Sequence, residues 1–301
     1  MRNPLTVAIG GGSGFLGSAL AAALRSRGDR VRTLVRRPPR DPAEITWLPN
    51  SGRLDPARLA GVDVVVNLAG AGVGDRRWGP EHKAAILQSR VDSTHTVVGA
   101  LLAMDRPARL VNASAVGFYG NRGEEQLTEA SAPGTGFLPE VVQAWEEATV
   151  AAVQAGIPVS LARTGLVMGS SGGAFPQLAR LSRLGIFGPL GSGRQWWPVI
   201  SLRDEIAAYL HLIDHPEITG PVNLVGAEPV PQHEFAAALG AALHRPALVP
   251  APAPALGLVV GEFSGEILAS QRVLPERLLA TGFTHQDPDV AAVVAAALGR
   301  G

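Results

Sequence analysis

The stretch Leu5-Thr6-Val7-Ala8-Ile9-Gly10-Gly11-Gly12-Ser13-Gly14-Phe15-Leu16-Gly17 decides the fold. Leu5–Ile9 is a short apolar run of the kind buried on both faces of a parallel sheet, and residues 14–27 are patterned as a helix ended by Gly28. Between them Gly11, Gly14 and Gly17 form G-x-x-G-x-x-G at the mouth of that helix. The first glycine permits a tight turn, the second lets a pyrophosphate approach the backbone, and the third lets helix and strand pack closely. Free amides and the helix dipole attract phosphate. A glycine-rich turn alone is an ordinary loop; between an N-terminal strand and a helix it predicts a dinucleotide site.

The alternation continues outward. Further strands are expected at Arg30–Val35, Ile45–Leu48, Val62–Leu68, Arg109–Ala113 and Pro158–Arg163, with helices at Pro80–Met104 and Pro139–Gln154 between them. This β-α-β order predicts an α/β chain with a doubly wound, Rossmann-type parallel sheet. After about Thr164 the pattern loosens into glycine-rich loops, helices at Arg203–Asp214 and Gln232–Leu243, a strand at Val222–Val225, the Pro/Ala segment Pro246–Ala255 and a closing helix at Val290–Leu298. A nucleotide-binding domain at 1–165 and a smaller substrate lobe at 166–301, interleaved with the core, follow from that change.

Composition narrows the chemistry. The 301 residues exceed the usual domain of roughly 150. Lys+Arg 26 against Asp+Glu 26, with 17% charged residues, is too balanced and sparse for a nucleic-acid coat. The absence of cysteine removes disulfides, thiolate metal sites and cysteine nucleophiles. The uncharged stretches 5–24 and 246–261 are broken by glycines and prolines respectively, so neither reads as a membrane span, and a soluble cytoplasmic protein is expected.

An NAD site places Asp or Glu about twenty residues past the turn, on the ribose 2′-hydroxyl. Here the region reads Leu34-Val35-Arg36-Arg37. An acid would repel the 2′-phosphate of NADP, whereas a guanidinium pairs with it through two hydrogen bonds, so NADP(H) is the expected cofactor, with Arg36 the first choice of partner and Arg37 the second. Solvated arginines at a strand end are the plainer reading.

Taken together, Gly11–Gly17, Val35-Arg36, Asn67-Leu68-Ala69-Gly70, Ser114-Ala115-Val116-Gly117-Phe118-Tyr119-Gly120 and Arg163-Thr164-Gly165 resemble the extended short-chain dehydrogenase/reductases. More narrowly, Arg77-Trp78, Ser89-Arg90, Trp145-Glu146, Gly191-Ser192-Gly193-Arg194-Gln195 and Gln271-Arg272-Val273-Leu274-Pro275 resemble their atypical "epimerase family" branch. The resemblance spans nearly the whole chain and implies a C-terminal module of unknown role at about 246–298. It also implies that Leu68 and Ala69 line the cofactor, that Arg90 reaches it from the long helix, and that Arg163 and Met168 flank its nicotinamide end. Some relatives are associated with cell or plastid division.

Ordinary members of that superfamily use a tyrosine acid/base and a lysine four residues later, one helical turn away, to lower its pKa. This chain has a single lysine, Lys83, with Gly79 four positions before it, and neither Tyr119 nor Tyr209 has a lysine four positions after it. Ala115 stands in the place of the usual catalytic serine; Ser114 and Tyr119 are the remaining weak candidates, each with a structural role as the alternative. Ser201 and Arg203 replace a histidine and an acid that the resemblance would put there, leaving Asp204 as the match. The loop Phe187–Trp197, with Arg194 and Trp196, reads either as a mobile cover over a substrate or as a surface loop with tryptophans plugged into the core. His211 and His215 have chelating spacing, but no His-Glu-x-x-His surrounds them, so no metal is expected. Two readings result: an NADP(H)-binding oxidoreductase or epimerase/dehydratase acting on an unknown small molecule without the dyad, or a non-catalytic NADP(H)-sensing regulator.

Overall fold

A computed structural model of the chain describes residues 3–300. The first half runs β1 (Thr6–Gly10), α1 (Phe15–Ser26), β2 (Arg30–Val35), β3 (Glu44–Leu48), β4 (Arg53–Leu54), β5 (Val64–Asn67), α2 (Pro80–Leu102) and β6 (Arg109–Ala115). It continues through β7 (Gln126–Leu127), α3 (Phe137–Glu147), α4 (Val150–Gln154) and β8 (Val159–Thr164). The second half holds β9 (Leu166–Met168), α5 (Phe175–Arg183), β10 (Trp196–Trp197), β11 (Val199–Ser201), α6 (Leu202–Asp214) and β12 (Gly220–Leu224). It ends with β13 (Val230–Pro231), α7 (Gln232–Ala242), α8 (Ala253–Val260), α9 (Ser264–Ile267), β14 (Arg272–Val273), α10 (Glu276–Ala280) and α11 (Val290–Ala297).

The main sheet has the order β12-β8-β6-β5-β1-β2-β3-β4. All its pairs are parallel except β3 with β4. The chain leaves β1 for β2 on one side and later returns to β5 on the other, so a crevice opens outside the carboxyl ends of β1 and β5, where ligands of such sheets sit. Helices cover both faces because the strands are apolar on both. Val7, Ile9 and Val66 pack with Leu20, Leu24, Tyr209 and Leu212 of α1 and α6. On the other face Ala8, Val65, Leu110 and Val159 pack with Val97 and Leu101 of α2 and Ala152 of α4. A third core, with Phe175, Trp197, Phe235, Leu239 and Val294, holds the C-terminal lobe.

Several boundaries move for local reasons. The strand expected to stop at Ala113 runs on to Ala115, paired with Thr164 of β8. The helix expected over 139–154 is two helices, because the Thr149 hydroxyl donates to the Glu146 carbonyl at 2.6 Å and offers the backbone a competing bond at the break. The Pro/Ala segment is not wholly irregular, since Pro252 and Pro254 sit where the first turn of α8 needs no N–H donor. Although β12 lies beyond residue 165, it joins the main sheet beside β8, and α6 packs on α1, so the C-terminal half contributes to the N-terminal core. Among the described residues no helix is long and apolar enough to cross a membrane.

Candidate functional site

The glycine turn has the shape its spacing predicts. Gly11 adopts φ +77°, and a Cβ there would stand 2.8 Å from the Leu68 carbonyl, so only glycine lets β1 turn against the end of β5. A Cβ on Gly17 would lie 2.2 Å from the Gly11 oxygen, which fixes the close approach of α1 to the turn. Gly14 donates to the Gly11 carbonyl at 2.9 Å, and a Cβ on it would meet only that oxygen, leaving its outer side open. No side chain caps α1, and the N–H groups of Phe15 and Leu16 have no acceptor among the described residues. The Phe15 ring lies under Gly169, Gly172 and Gly173 of the loop after β9, where a Cβ on any of the three would stand 2.6–3.4 Å from it.

At the end of β2 the two arginines differ. Arg37 is held by Glu44 through two hydrogen bonds of 2.7 and 2.6 Å, and this partner keeps the Glu44 carboxyl down at about 2. Arg36 is exposed and has no side-chain partner among the described residues. Of the two expected partners for a 2′-phosphate, Arg37 is therefore already engaged, and Arg36, next to Val35, is free.

A buried polar network sets the position of Leu68 and Ala69. Asn67 donates to Asn112 at 2.9 Å and to Thr94 at 3.1 Å, and its side-chain oxygen accepts from the Ala69 amide. Trp145 donates to the same Thr94 hydroxyl. The network ties β5 to β6, α2 and α3 and presents residues 68–70 at the crevice. Arg90 reaches the same loop from α2. Its Nη1 donates to the Ala71 and Ile86 carbonyls at 2.9 Å, its guanidinium lies 5.0 Å from the Trp145 ring, and burial pulls its pKa down to about 10. Among the described residues no acceptor is bonded to its other two nitrogens, which can meet an anionic or hydroxyl-bearing ligand.

At the opposite end of the crevice the candidate side chains are buried and bonded to one another. Tyr119, a candidate acid/base, is fully buried: it donates to Asn223 Oδ1 at 2.8 Å and accepts from Arg163 at 3.0 Å, and burial raises its pKa. Ser114 is also buried and donates to Glu146 Oε1 at 2.5 Å. Arg163 closes the set with two bonds to Glu146, 2.9 and 2.8 Å, beneath the Phe118 ring at 3.6 Å. Burial works against its charge, but Glu146 outweighs it and holds the guanidinium above its ordinary pKa. The four side chains are buried or nearly so and satisfy one another's hydrogen bonds. Arg163 and the buried Met168, expected beside a nicotinamide, have their side chains in this network and in the C-terminal core respectively.

In their place α3 presents apolar groups. Gly117 stands against Leu138 and Val142, which are one helical turn apart: a Cβ on it would lie 3.4 Å from Leu138 Cβ and 3.8 Å from Val142 Cγ2. Leu138 and the buried Val142 thus pack α3 against the turn that follows β6, and neither they nor Ala115 at the end of β6 carry a titratable group. Sequence reading identified the loss of the dyad but missed this pair; their four-residue spacing, ahead of Trp145-Glu146, was the available signal.

The remaining candidates are placed as follows. In the loop Phe187–Trp197 both tryptophans are engaged by the body of the protein. Trp197 is buried and donates to the Ile267 carbonyl at 3.1 Å, and Trp196 donates to Glu124 at 2.7 Å while Arg272 covers its ring. Arg194 is exposed and its guanidinium has no partner among the described residues. Asp204 is structural, accepting from the Gln286 and Asp287 amides at 2.8 and 2.9 Å. His211 and His215 stack at 4.3 Å, and no group of three or more His, Asp or Glu side chains able to hold a metal exists among the described residues.

Comparison with known proteins places the chain among relatives of the same fold. An epimerase family protein of Mycobacterium bovis is 44% identical over 278 residues, 92% of each chain. The epimerase family protein SDR39U1 of Mus musculus is 35% identical over 295 residues, covering 96% of this chain and 98% of its own. The crystal structure of human SDR39U1 (isoform 2) with NADPH superposes with a TM-score of 0.88 at 30% identity, over 99% of this chain and all of that one. A nucleoside-diphosphate sugar epimerase of Corynebacterium glutamicum gives a TM-score of 0.82 at 36% identity; this chain spans 59% of its length. Residues 251–297 match a domain of unknown function, DUF1731. With residues 7–225 matching its pattern, the chain belongs to the NAD dependent epimerase/dehydratase family.

Proposed function

We propose that the chain binds NADP(H) outside the carboxyl ends of β1, β2 and β5 and acts on a small molecule as an oxidoreductase or epimerase/dehydratase that lacks a Tyr-x-x-x-Lys dyad. The observation that carries this reading is the unpartnered Arg36 beside an uncapped glycine turn, with Arg37 diverted to Glu44. The residues suit the cofactor: Gly11, Gly14 and Gly17 form a cradle that side chains would fill, and Phe15 and Leu16 offer free amides for its phosphates. That human SDR39U1 was crystallised with NADPH supports the choice. Arg36 takes the 2′-phosphate, Leu68 and Ala69 line the crevice, and Arg90 supplies donors at the far side of the 69–71 loop. When bound, the cofactor supplies hydride chemistry. Ala115, Leu138 and Val142 carry no titratable group, so proton transfer falls to the substrate or to solvent.

The missing dyad also favours a second reading, a regulator whose conformation or partners respond to NADP(H) without turnover. The first test is a calorimetric titration of the ligand-free protein with NADPH and with NADH. A clear preference for NADPH is expected, and binding of neither overturns both readings. Acceleration of NADPH oxidation by a carbonyl or sugar-nucleotide substrate then separates the enzyme from the regulator.

A further inference from the structure

The chain has equal numbers of acids and bases, yet the acids are unevenly distributed: residues 148–203, 235–261 and 290–300 contain no Asp or Glu. These three segments meet. Arg245, just after α7, donates to the Arg183 carbonyl at the end of α5 at 3.1 Å; Arg300, after α11, donates to the Ala242 carbonyl of α7 at 2.6 Å; and Gly188 packs directly on the backbone of Val249. The face where α5, α7 and α11 end therefore has no carboxylate from any of the three segments that build it. Arg180, Arg183 and Arg245 are exposed there, and their guanidinium groups form no ion pair among the described residues.

The same face carries the wrong side chains for contact with water alone. Leu248 is 80% exposed, Leu184 65% and Ile186 53%. Leu184 follows Arg180 by one helical turn, and the two border one shallow depression with Pro176, Gln177 and Leu181. Single exposed leucines are ordinary on a protein surface; several grouped with arginines outside any ion pair, on segments without an acid, are not.

We infer that this face docks on an anionic lipid surface, with Leu184, Ile186 and Leu248 entering the interfacial layer and Arg180, Arg183 and Arg245 meeting lipid phosphates. Charge complementarity carries the choice of occupant. The arginines have no acidic partner among the described residues and stand beside apolar tips, which is how a peripheral protein divides its contacts between headgroups and acyl chains. Side chains as exposed as Leu248 stand out from the surface, which suits a deformable bilayer better than the concave groove an acidic protein segment would need. The attachment is peripheral, since no described helix can cross a bilayer.

The test is co-sedimentation of the full chain with phosphatidylcholine vesicles, with and without about one-third phosphatidylglycerol. Pelleting with the anionic vesicles at low salt, little with neutral ones, and release at high salt are expected. Each of Arg180→Ala, Arg183→Ala and Arg245→Ala should weaken partitioning about fivefold, and Leu248→Ser about tenfold. Circular dichroism melts identical to the parent's show that these surface variants fold. Equal recovery with both vesicle types, no pelleting with either, or capture by polyglutamate without vesicle binding overturns the proposal, the last in favour of an acidic protein partner. A dimer in solution that Leu248→Asp dissociates overturns it in favour of a second copy of the chain.

Discussion

Arg36 and Arg163 both lie at the carboxyl ends of strands in one sheet, and their surroundings are opposite. Arg36 is exposed and pairs with nothing described, while Arg163 is 4% exposed and bonds to Glu146 twice and to Tyr119 once. An exposed, unpaired cation adds little to folding and remains available to a ligand. A buried one with every neighbour satisfied is committed to the fold. On the proposed reading the protein keeps its ligand-binding charge at the adenosine end of the crevice, while the polar groups at the other end are bonded to one another.

The largest effect that sharpens this contrast is expected from Arg163→Met. Removing the guanidinium strands the Glu146 carboxylate in a largely buried site and deprives Tyr119 of a donor, at a cost of about 3–5 kcal/mol. Chemical denaturation should show that loss, and adding Glu146→Gln should recover part of it. If NADPH affinity fell as much as stability did, Arg163 would belong to the ligand site after all.

Thr164, the next residue on β8, points to the opposite face of the sheet and meets a different carboxyl. Glu205 is fully buried, accepts only from the Thr164 hydroxyl at 2.7 Å, and has its other oxygen unpartnered among the described residues. Burial raises its pKa to about 8 from 4.5. Between those values the unfolded chain has lost a proton that the folded chain retains, so the contribution of Glu205 to stability is most favourable below 4.5, falls as pH rises, and levels off above about 8. Glu205→Gln removes the dependence and should stabilise the protein by about 3 kcal/mol at pH 7 and hardly at pH 4. Melting curves at the two pH values check this; an equal shift at both would mean that Glu205 is ionised in the fold.

At the adenosine end, Arg36→Ala should weaken NADPH binding by about 1.5–3 kcal/mol and leave NADH almost unchanged. Arg37→Ala should do neither, because its bonds go to Glu44. Equal losses for both cofactors in the Arg36 variant would remove the 2′-phosphate assignment.

What the sequence made legible follows from distance along the chain. The glycine turn is a seven-residue pattern whose steric logic is local, and Arg36 follows β2 directly, so both could be read. The capture of Arg37 depends on β3 lying beside β2 with Glu44 in register with Thr33, which no local pattern encodes. The Ser114–Glu146–Arg163 set joins one helix to two strands, and Glu146 read alone is a helix-surface acid. Glu205 was equally hidden, since a carboxylate in the first turn of a helix is normally solvated there. The apolar pair Leu138 and Val142 could have been recognised by its spacing, yet apolar residues four apart are first read as core.

The smallest expected effect bears most directly on catalysis. Tyr119→Phe removes one hydroxyl that donates to Asn223 and accepts from Arg163, and should cost about 1–2 kcal/mol of stability because Asn223 Oδ1 and one Arg163 N–H are left unpaired in a buried site. If Tyr119 only braces the fold, the variant keeps NADPH affinity and, once a substrate is known, keeps the pH profile of turnover, with any loss of rate following the loss of folded protein. A lost or shifted limb in that profile would mean that the phenol exchanges protons with the reaction despite its burial, and the division of labour between the two ends of the crevice would fail at this residue first.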